Sequence, residues 1–576
     1  MRDKILEAII YILLAFLLCG FFNLQIIHGP QYRRMSEDNR IRTIPIVAPR
    51  GRIYDRNGLV LADNKAIFNL SIIPDDFDSA YVPHLAEIIG DDVAELSEKV
   101  ERMKRLFDTV NPVLVKKDVS RTAMYRLEEL STLVGGIVIT QDSLRYYPEG
   151  ETTCHAVGYI GKITPEEYAA HKHQGWLMNE YVGRLGIEKT FNDVLMGKTG
   201  GRQIEVNARG QKISVLSEKD ALIGQDVRLT IDKEFQSRII EIFGDEFNLA
   251  ACIMDIQSGE IIAMVSTPLF DPNIFVDPNK SDERVVALQD ERRPFVNRPI
   301  SLPYAPGSIF KVLIAVAALQ EKVINSGTPF YCSGSFRLNN RSRPFKCWKE
   351  TGHGTMRLQD AIAQSCNSYF YQVGLKLGNE RIAKYARMFG FGQAVDLGLP
   401  YSKPGLVPDA LWKSTILHER WYPGETVNYA IGQGYLEVTP LQVVRMVAAI
   451  GNGGTLVEPH IVKDMSSSGS RVQIEAKNLA IVRGAMLLAT ESDKGTAHLA
   501  RPMFFKMGGK TGTAQTVGEP HAWCTGFFPY NDPQIAVVVL AEHAGAGGIV
   551  AAGYAGQIAD EWLALKEERE GHQIDL

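Results

Sequence analysis

Three short motifs stand in a fixed order, far apart along the chain: Ser308-Ile309-Phe310-Lys311, Ser365-Cys366-Asn367 and Lys510-Thr511-Gly512-Thr513. Each alone is weak evidence, because a Ser-x-x-Lys or a Ser-x-Asn arises by accident in many chains of this size. Taken together they supply a nucleophile, two groups able to move its proton, and a strand able to hold an anion. A fold that uses all three must bring distant segments into one cleft.

The first motif follows Pro306-Gly307, which ends a loop, and Ile309 to Leu319 is strongly apolar. The pattern predicts a buried helix from Ser308 to Lys322. Lys311, three residues on, then lies one turn from the serine on the same face. Burial and a second nearby cation both lower a lysine's pKa, so Lys311 can act as a general base toward Ser308. An exposed lysine after a serine N-cap would not need Phe310, Val312, Leu313 and Ile314 around it. In the second motif, Ser365 and Asn367 can face one cleft with Cys366 behind. Ser365 can relay a proton to a leaving amine, and Asn367 can hold Lys311 and a substrate amide. In the third, Lys510, Thr511 and Thr513 suit a terminal carboxylate, and Gly512 lets a substrate backbone approach closely. The N–H groups of Ser308 and Thr513 form the natural oxyanion-hole pair.

The chain has 576 residues, which predicts two or more domains. Its formal net charge of -5 gives no sign of a nucleic-acid partner. Ala8 to Ile27 is almost wholly apolar and long enough to cross a bilayer. Without a small-x-small cleavage site it reads as an uncleaved anchor rather than a signal peptide. Arg2 and Lys4 precede it, and Arg33, Arg34, Arg40 and Arg42 follow it. The charge count alone therefore misleads, and the bulk of the chain is placed outside the cytoplasm because large domains translocate largely regardless of charge.

Residues 28–240 read as a separate non-catalytic domain. Asn57-Gly58 predicts a hairpin turn before the apolar Leu59 to Ala62, and Asp91 to Phe107 predicts a helix. Arg145-Tyr146-Tyr147-Pro148 and Gly183 to Glu188 read as packing and turns, with no nucleophile-base pair among them. A second domain over 241–566 begins with strands at Ala251–Asp255 and Ile261–Ser266. It ends with strands at Phe504–Met507, Lys510–Gln515, Trp523–Phe528 and Ile535–Ala541. Helices over Gln359–Leu377, Arg381–Phe389, Pro440–Gly451 and Ala476–Thr490 lie between. Strands at both ends with helices between predict an α+β domain with one antiparallel sheet flanked by helices. The predicted organisation is a tail (1–7), a transmembrane helix (8–27), the elongated mixed pedestal (28–240), the second domain (241–566) and a charged tail (567–576).

Of seven cysteines, Cys332, Cys347 and Cys366 cluster around the second motif, with His353 among them. Their spacing is not that of a zinc ribbon. The segment from Tyr331 to His353 is nevertheless polar and poor in core residues, and needs something to hold it. Three thiolates and one imidazole would complete a closed structural zinc site. A Cys332–Cys347 disulfide with Cys366 free, or unlinked cysteines, are the other states open to this cluster.

With Tyr304-Ala305-Pro306-Gly307 leading into the first motif, and with Arg50 to Gly58 in the pedestal, the chain resembles the class B penicillin-binding proteins, peptidoglycan D,D-transpeptidases, over nearly its whole length. Ala430-Ile431-Gly432-Gln433-Gly434 and Lys510 to Gln515 look like the elongation type, penicillin-binding protein 2, more than the division type. The resemblance implies that Ser308 attacks the penultimate D-Ala carbonyl of a stem pentapeptide, with no cofactor for the chemistry. An amine of a neighbouring stem then resolves the acyl-enzyme, and β-lactams trap Ser308. It also implies a single-pass protein of the bacterial cytoplasmic (inner) membrane, catalytic domain outside, working with a SEDS-family glycosyltransferase and elongation-complex proteins. A D,D-carboxypeptidase, or a scaffold for that glycosyltransferase with catalysis secondary, are the alternatives. A β-lactamase is smaller and needs a deacylating glutamate that cannot be placed here. A bifunctional class A protein needs a glycosyltransferase signature that residues before 240 lack.

Overall fold

The computed structural model describes residues 2–574 apart from 33–40, 47, 107–111, 172–175, 177–179, 207–211, 464 and 466–467. Arg33, Arg34 and Arg40, weighed above for orientation, and Phe107, the predicted end of a helix, lie outside the described residues. The apolar N-terminal segment forms a helix over Arg2–Phe22 that continues as a π-helical turn over Asn23–Ile27. Its 24-residue apolar stretch, Lys4–Ile27, is wholly exposed. At helical rise it is about 36 Å long, enough to cross a bilayer core.

In the pedestal, the Asn57-Gly58 turn joins strands Ile53–Tyr54 and Val60–Ile72, which pair antiparallel. Buried Asp55 holds the turn by accepting from the N–H groups of Asn57 and Leu59, both at 2.8 Å. Val60–Ile72 also pairs with Ile137–Tyr146 and Val113–Lys116. The helix predicted over 91–107 forms at Val93–Leu106. It buries Leu96, Val100 and Met103 in a small core with Leu85, Leu127 and Leu130.

The clusters read as packing and turns are a buried ion triad. Glu188, fully buried, accepts from Arg145 Nε at 2.6 Å and pairs with Arg50 Nη2 at 2.9 Å. The hydroxyl of Tyr147 donates to the same carboxylate at 3.4 Å. Burial pushes the Glu188 carboxyl up, but the two guanidiniums outweigh it and hold it below its ordinary value. Charges this deep are tolerated only when paired, so the triad ties segments near residues 50, 145 and 188 together.

The second domain is built on one antiparallel sheet. Its strand order is Ile261–Ser266, Leu249–Asp255, Ile535–Ala541, His521–Phe528, Gly508–Ala514. Strands from the two ends of the domain thus meet near its centre. Ala250, Cys252 and Met254 face one core with Val538 and Leu540, whereas Leu249, Ala251 and Ile253 face another with Val537 and Val539. Both faces are covered, which is why these strands read as continuous apolar runs rather than alternating ones. Wholly buried Pro440–Gly451 lies under the first face, and Lys233–Phe243 and Val550–Ile574 cover the second. Residues 567–574, read as a charged tail, are the last turns of that C-terminal helix, and Arg569 pairs there with Asp232 and Glu234.

Two further elements differ from expectation. Phe504–Met507 forms no strand, and the sheet edge begins at Gly508. The helix predicted over Gln359–Leu377 is two, Leu358–Ala363 and Asn367–Leu377. They are broken at Ser365, which takes a left-handed φ of 56°. Propensity gives no warning of that break, because Gln364-Ser365-Cys366 is helix-compatible and the strain is set by tertiary contacts.

Candidate active site

The expected helix start at Ser308 is a 3-10 turn over Gly307–Phe310, and the α-helix proper runs from Lys311 to Gln320. In a 3-10 turn residues three apart eclipse each other, so Ser308 and Lys311 share a face. Every residue from Lys311 to Leu319 is buried, and this places an ammonium group in the core.

Lys311 reaches the second motif. Its Nζ donates to the backbone oxygen of Ser365 at 2.8 Å, to Ser365 Oγ at 3.2 Å and to Asn367 Oδ1 at 2.6 Å. The same ammonium lies 5.8 Å from the centroid of Phe370. Lys510 reaches the same hydroxyl. Its Nζ donates to Ser365 Oγ at 3.0 Å and to the Thr511 backbone oxygen at 2.7 Å. Burial, with only partial opposition from nearby Cys366 and Cys347, lowers Lys311 to about 8. Burial first, and then the charge of Lys311, hold Lys510 well below its ordinary value. The break at Ser365 is what turns its hydroxyl between the two amines.

The third motif lies on the edge strand Gly508–Ala514. Thr513 is exposed, and its hydroxyl accepts from Gly547 N–H at 3.3 Å. Thr511 is buried and turns its hydroxyl to that of Thr496, 2.9 Å away. Of the two threonines, Thr513 is therefore the one open to a ligand. The glycine at 512 has a packing reason within the chain itself. A Cβ there would stand 2.9 Å from the Pro306 carbonyl oxygen and 3.1 Å from Ile309. Position 512 must be bare so that the Ser308 loop can pack on the strand. Gly432 serves the same loop: it accepts from Gly307 N–H at 3.0 Å, and a Cβ there would meet the Gly307 oxygen at 2.2 Å.

A support that the motifs do not reveal holds the loop from behind. The hydroxyl of Tyr304 donates to Glu542 at 2.6 Å, and Glu542 pairs with buried Arg298 at 3.2 Å. Burial pushes Glu542 up, but the Tyr304 hydroxyl and Arg298 outweigh it and hold it below its ordinary value. Tyr304 sits next to the first motif, whereas Glu542 follows the last strand and carries no local signal.

Cys366 is the N-cap residue of the Asn367–Leu377 helix, without a side-chain capping hydrogen bond. It joins Cys332, Cys347 and His353, whose ligand atoms all lie within 4.8 Å of one another. The Sγ atoms of Cys332 and Cys347 are each 3.5 Å from His353 Nδ1. The three cysteines are free, so the Cys332–Cys347 bridge is not formed in this structure. A hydrogen bond from the Cys366 thiol holds Cys347 well below the ordinary thiol range, and Cys366 itself is pushed up.

Two buried amines around one hydroxyl, beside a serine at the start of a buried helix and an open edge strand, can move a proton to and from an acyl-transfer centre. Comparison with known proteins shows the family. Residues 249–560 match the family described as the penicillin binding protein transpeptidase domain, and residues 45–229 match the penicillin-binding protein dimerisation domain. The peptidoglycan D,D-transpeptidase MrdA of Escherichia coli K12 is 30% identical over 94% of this chain and 90% of its own length. The MrdA of Haemophilus influenzae is 31% identical over 96% of this chain and 90% of its own. Among solved structures, penicillin-binding protein 2 of Helicobacter pylori in complex with MreC superposes with a TM-score of 0.80, at 28% identity, over 91% of this chain and 99% of that one. A peptidoglycan synthase complex that coordinates polymerisation and crosslinking contains a chain at TM-score 0.75 and 30% identity, over 97% and 98%. This chain belongs to the class B penicillin-binding proteins of the elongation type, the peptidoglycan D,D-transpeptidases.

Proposed function

We propose that Ser308 is the nucleophile of this D,D-transpeptidase, and that the hydroxyl of Ser365, shared by Lys311 and Lys510, is its proton relay. That shared hydroxyl carries the reading. Ser308 Oγ attacks the penultimate D-Ala carbonyl of a stem pentapeptide, and its proton passes to neutral Lys311. The N–H groups of Ser308 and Thr513 stabilise the oxyanion. As the C–N bond breaks, the terminal D-Ala amine receives its proton through Ser365 and leaves. The amine of a neighbouring stem then attacks the ester, forms the crosslink and returns Ser308 Oγ to the hydroxyl. Asn367 orients Lys311 and the substrate amide, and Thr513, with Thr511 and Gly512 shaping the strand, receives the terminal carboxylate. β-Lactams acylate the same serine. In a reaction with uncrosslinked glycan, wild-type protein forms stem dimers and releases D-Ala, and Ser308→Ala does neither. Release of D-Ala without dimers would make the protein a D,D-carboxypeptidase.

The apolar helix anchors the chain in the cytoplasmic membrane, with residues 28–240 as pedestal and 241–566 as the catalytic domain outside. The pedestal serves as the contact for a SEDS-family glycosyltransferase and elongation-complex proteins. Relatives solved with MreC and in a synthase complex support this.

The second reading concerns Cys332, Cys347, Cys366 and His353, which suit a structural zinc ion. Neighbouring ligands of a tetrahedral zinc lie about 3.3–3.8 Å apart, and these four atoms are already gathered within 4.8 Å without a covalent link. Held so, they would fix the Tyr331–His353 loop to the back of Ser365 and Asn367. Elemental analysis gives about one zinc per chain, lost in Cys366→Ser. Metal-free protein with a Cys332–Cys347 bridge would end this reading.

A further inference from the structure

Beside the active site, residues 410–435 carry aromatic side chains that the catalytic reading does not use. Trp412 and Tyr435 lie with ring centroids 5.3 Å apart. Lys413 Nζ stands 5.1 Å from the centroid of Tyr422 and 5.7 Å from that of Tyr435. The guanidinium of Arg420 lies 4.9 Å from Tyr422. Tyr422 and Tyr435 are exposed and Trp412 is partly so. The group therefore forms a shelf of rings reached by solvent, with buried Lys413 against Tyr422 and Tyr435 and Arg420 against Tyr422. Lys413 is itself fixed by Glu425 and, at 3.1 Å, by Glu419.

The shelf is built onto the nucleophile loop. Tyr435 follows Gly432, which is hydrogen-bonded to the residue before Ser308. Trp421 donates to Thr426 at 2.8 Å and packs 6.0 Å from Tyr429, which stacks on Phe310 at 5.7 Å. Rings that are rigid, exposed and continuous with the catalytic rim are poised for something that extends beyond the reacting peptide.

We propose that this shelf binds the saccharide backbone of the strand that carries the stem peptide, stacking pyranose rings on Trp412, Tyr422 and Tyr435. The C–H faces of a pyranose suit the negative face of an aromatic ring. Charge favours the same occupant. Residues 410–435 hold two cations, Lys413 and Arg420, and two carboxylates, Glu419 and Glu425. A patch with no net charge suits an uncharged saccharide rather than an anionic lipid or an acidic peptide. The inference rests on the transpeptidase reading and adds a specificity determinant to it: the enzyme selects stems attached to glycan over free stems.

The test uses full-length protein in detergent and two donors, the free pentapeptide and the same pentapeptide on an N-acetylglucosaminyl–N-acetylmuramyl tetrasaccharide. D-Ala release gives KM for each. Wild-type KM is lower for the saccharide-linked donor, and Trp412→Ala or Tyr422→Ala raises that KM about five- to tenfold relative to the free pentapeptide. Tyr422→Phe keeps the ring and stays near wild type. Equal KM values in wild type, or an unchanged ratio in variants that still form the penicillin adduct, overturn the proposal and assign the shelf to a protein or lipid contact. Failure to release D-Ala from either donor, with no penicillin adduct, overturns the transpeptidase reading itself and the shelf with it.

Discussion

The ammonium groups of Lys311 and Lys510 share one acceptor, the hydroxyl of Ser365, at 3.2 and 3.0 Å. Burial and then the charge of Lys311 hold Lys510 well below its ordinary value, whereas Lys311 is lowered chiefly by burial. Either amine can exchange a proton through Ser365, which gives one small site both a base and an acid.

A pH dependence follows. Lys311 is lowered to about 8, chiefly by burial. It is protonated below that value and neutral above it, so the penicillin acylation rate rises with pH through about 8. Below that value the rate falls about tenfold per unit. Stopped-flow acylation between pH 6 and 9 checks this. A flat profile in the wild type, or the same rise in Lys311→Ala, would remove Lys311 from the base role.

Position 512 predicts a packing effect. In Gly512→Ala the new methyl meets the Pro306 carbonyl, a backbone atom that cannot swing aside. Relief displaces the Ser308 loop, at a cost of about 1–3 kcal/mol and with slower acylation. Thermal melting and acylation of the variant are the readouts, and wild-type values in both would show that the loop and strand are not packed as described.

The pedestal triad predicts a stability effect far from the chemistry. Glu188→Gln leaves the buried guanidiniums of Arg50 and Arg145 without their carboxylate and destabilises the pedestal by about 3–5 kcal/mol. Because the folded pKa of Glu188 is depressed, its contribution is present above the ordinary carboxylate pKa and is lost as pH falls through the depressed value. Melting of the pedestal near neutral pH should drop sharply in the variant; an unchanged melting temperature would show that the triad carries no stability.

The chemistry was legible because its residues come in local motifs. The Pro440–Gly451 helix and the Ile535–Ala541 strand were legible because period and apolar content mark them. The step at Ser365 was legible only in part: Ser365 and Asn367 were expected to alternate about Cys366, but the left-handed φ itself goes with contacts to Lys311 and Lys510, which lie far away in sequence. The Arg50–Glu188–Arg145 triad was hidden for a related reason. Each member sits in its own short cluster, and only the fold makes one ion network of three. Gly512 was legible as a special position, but its crowding by Pro306 of the same chain was not, because only the fold brings the two together.

Whether Ser308 is the acylated nucleophile is decided by intact-protein mass spectrometry after penicillin exposure, with peptide mapping of the adduct. A single adduct on Ser308, absent in Ser308→Ala, is expected. An adduct of normal yield in Ser308→Ala, or one mapped to another residue, would contradict it.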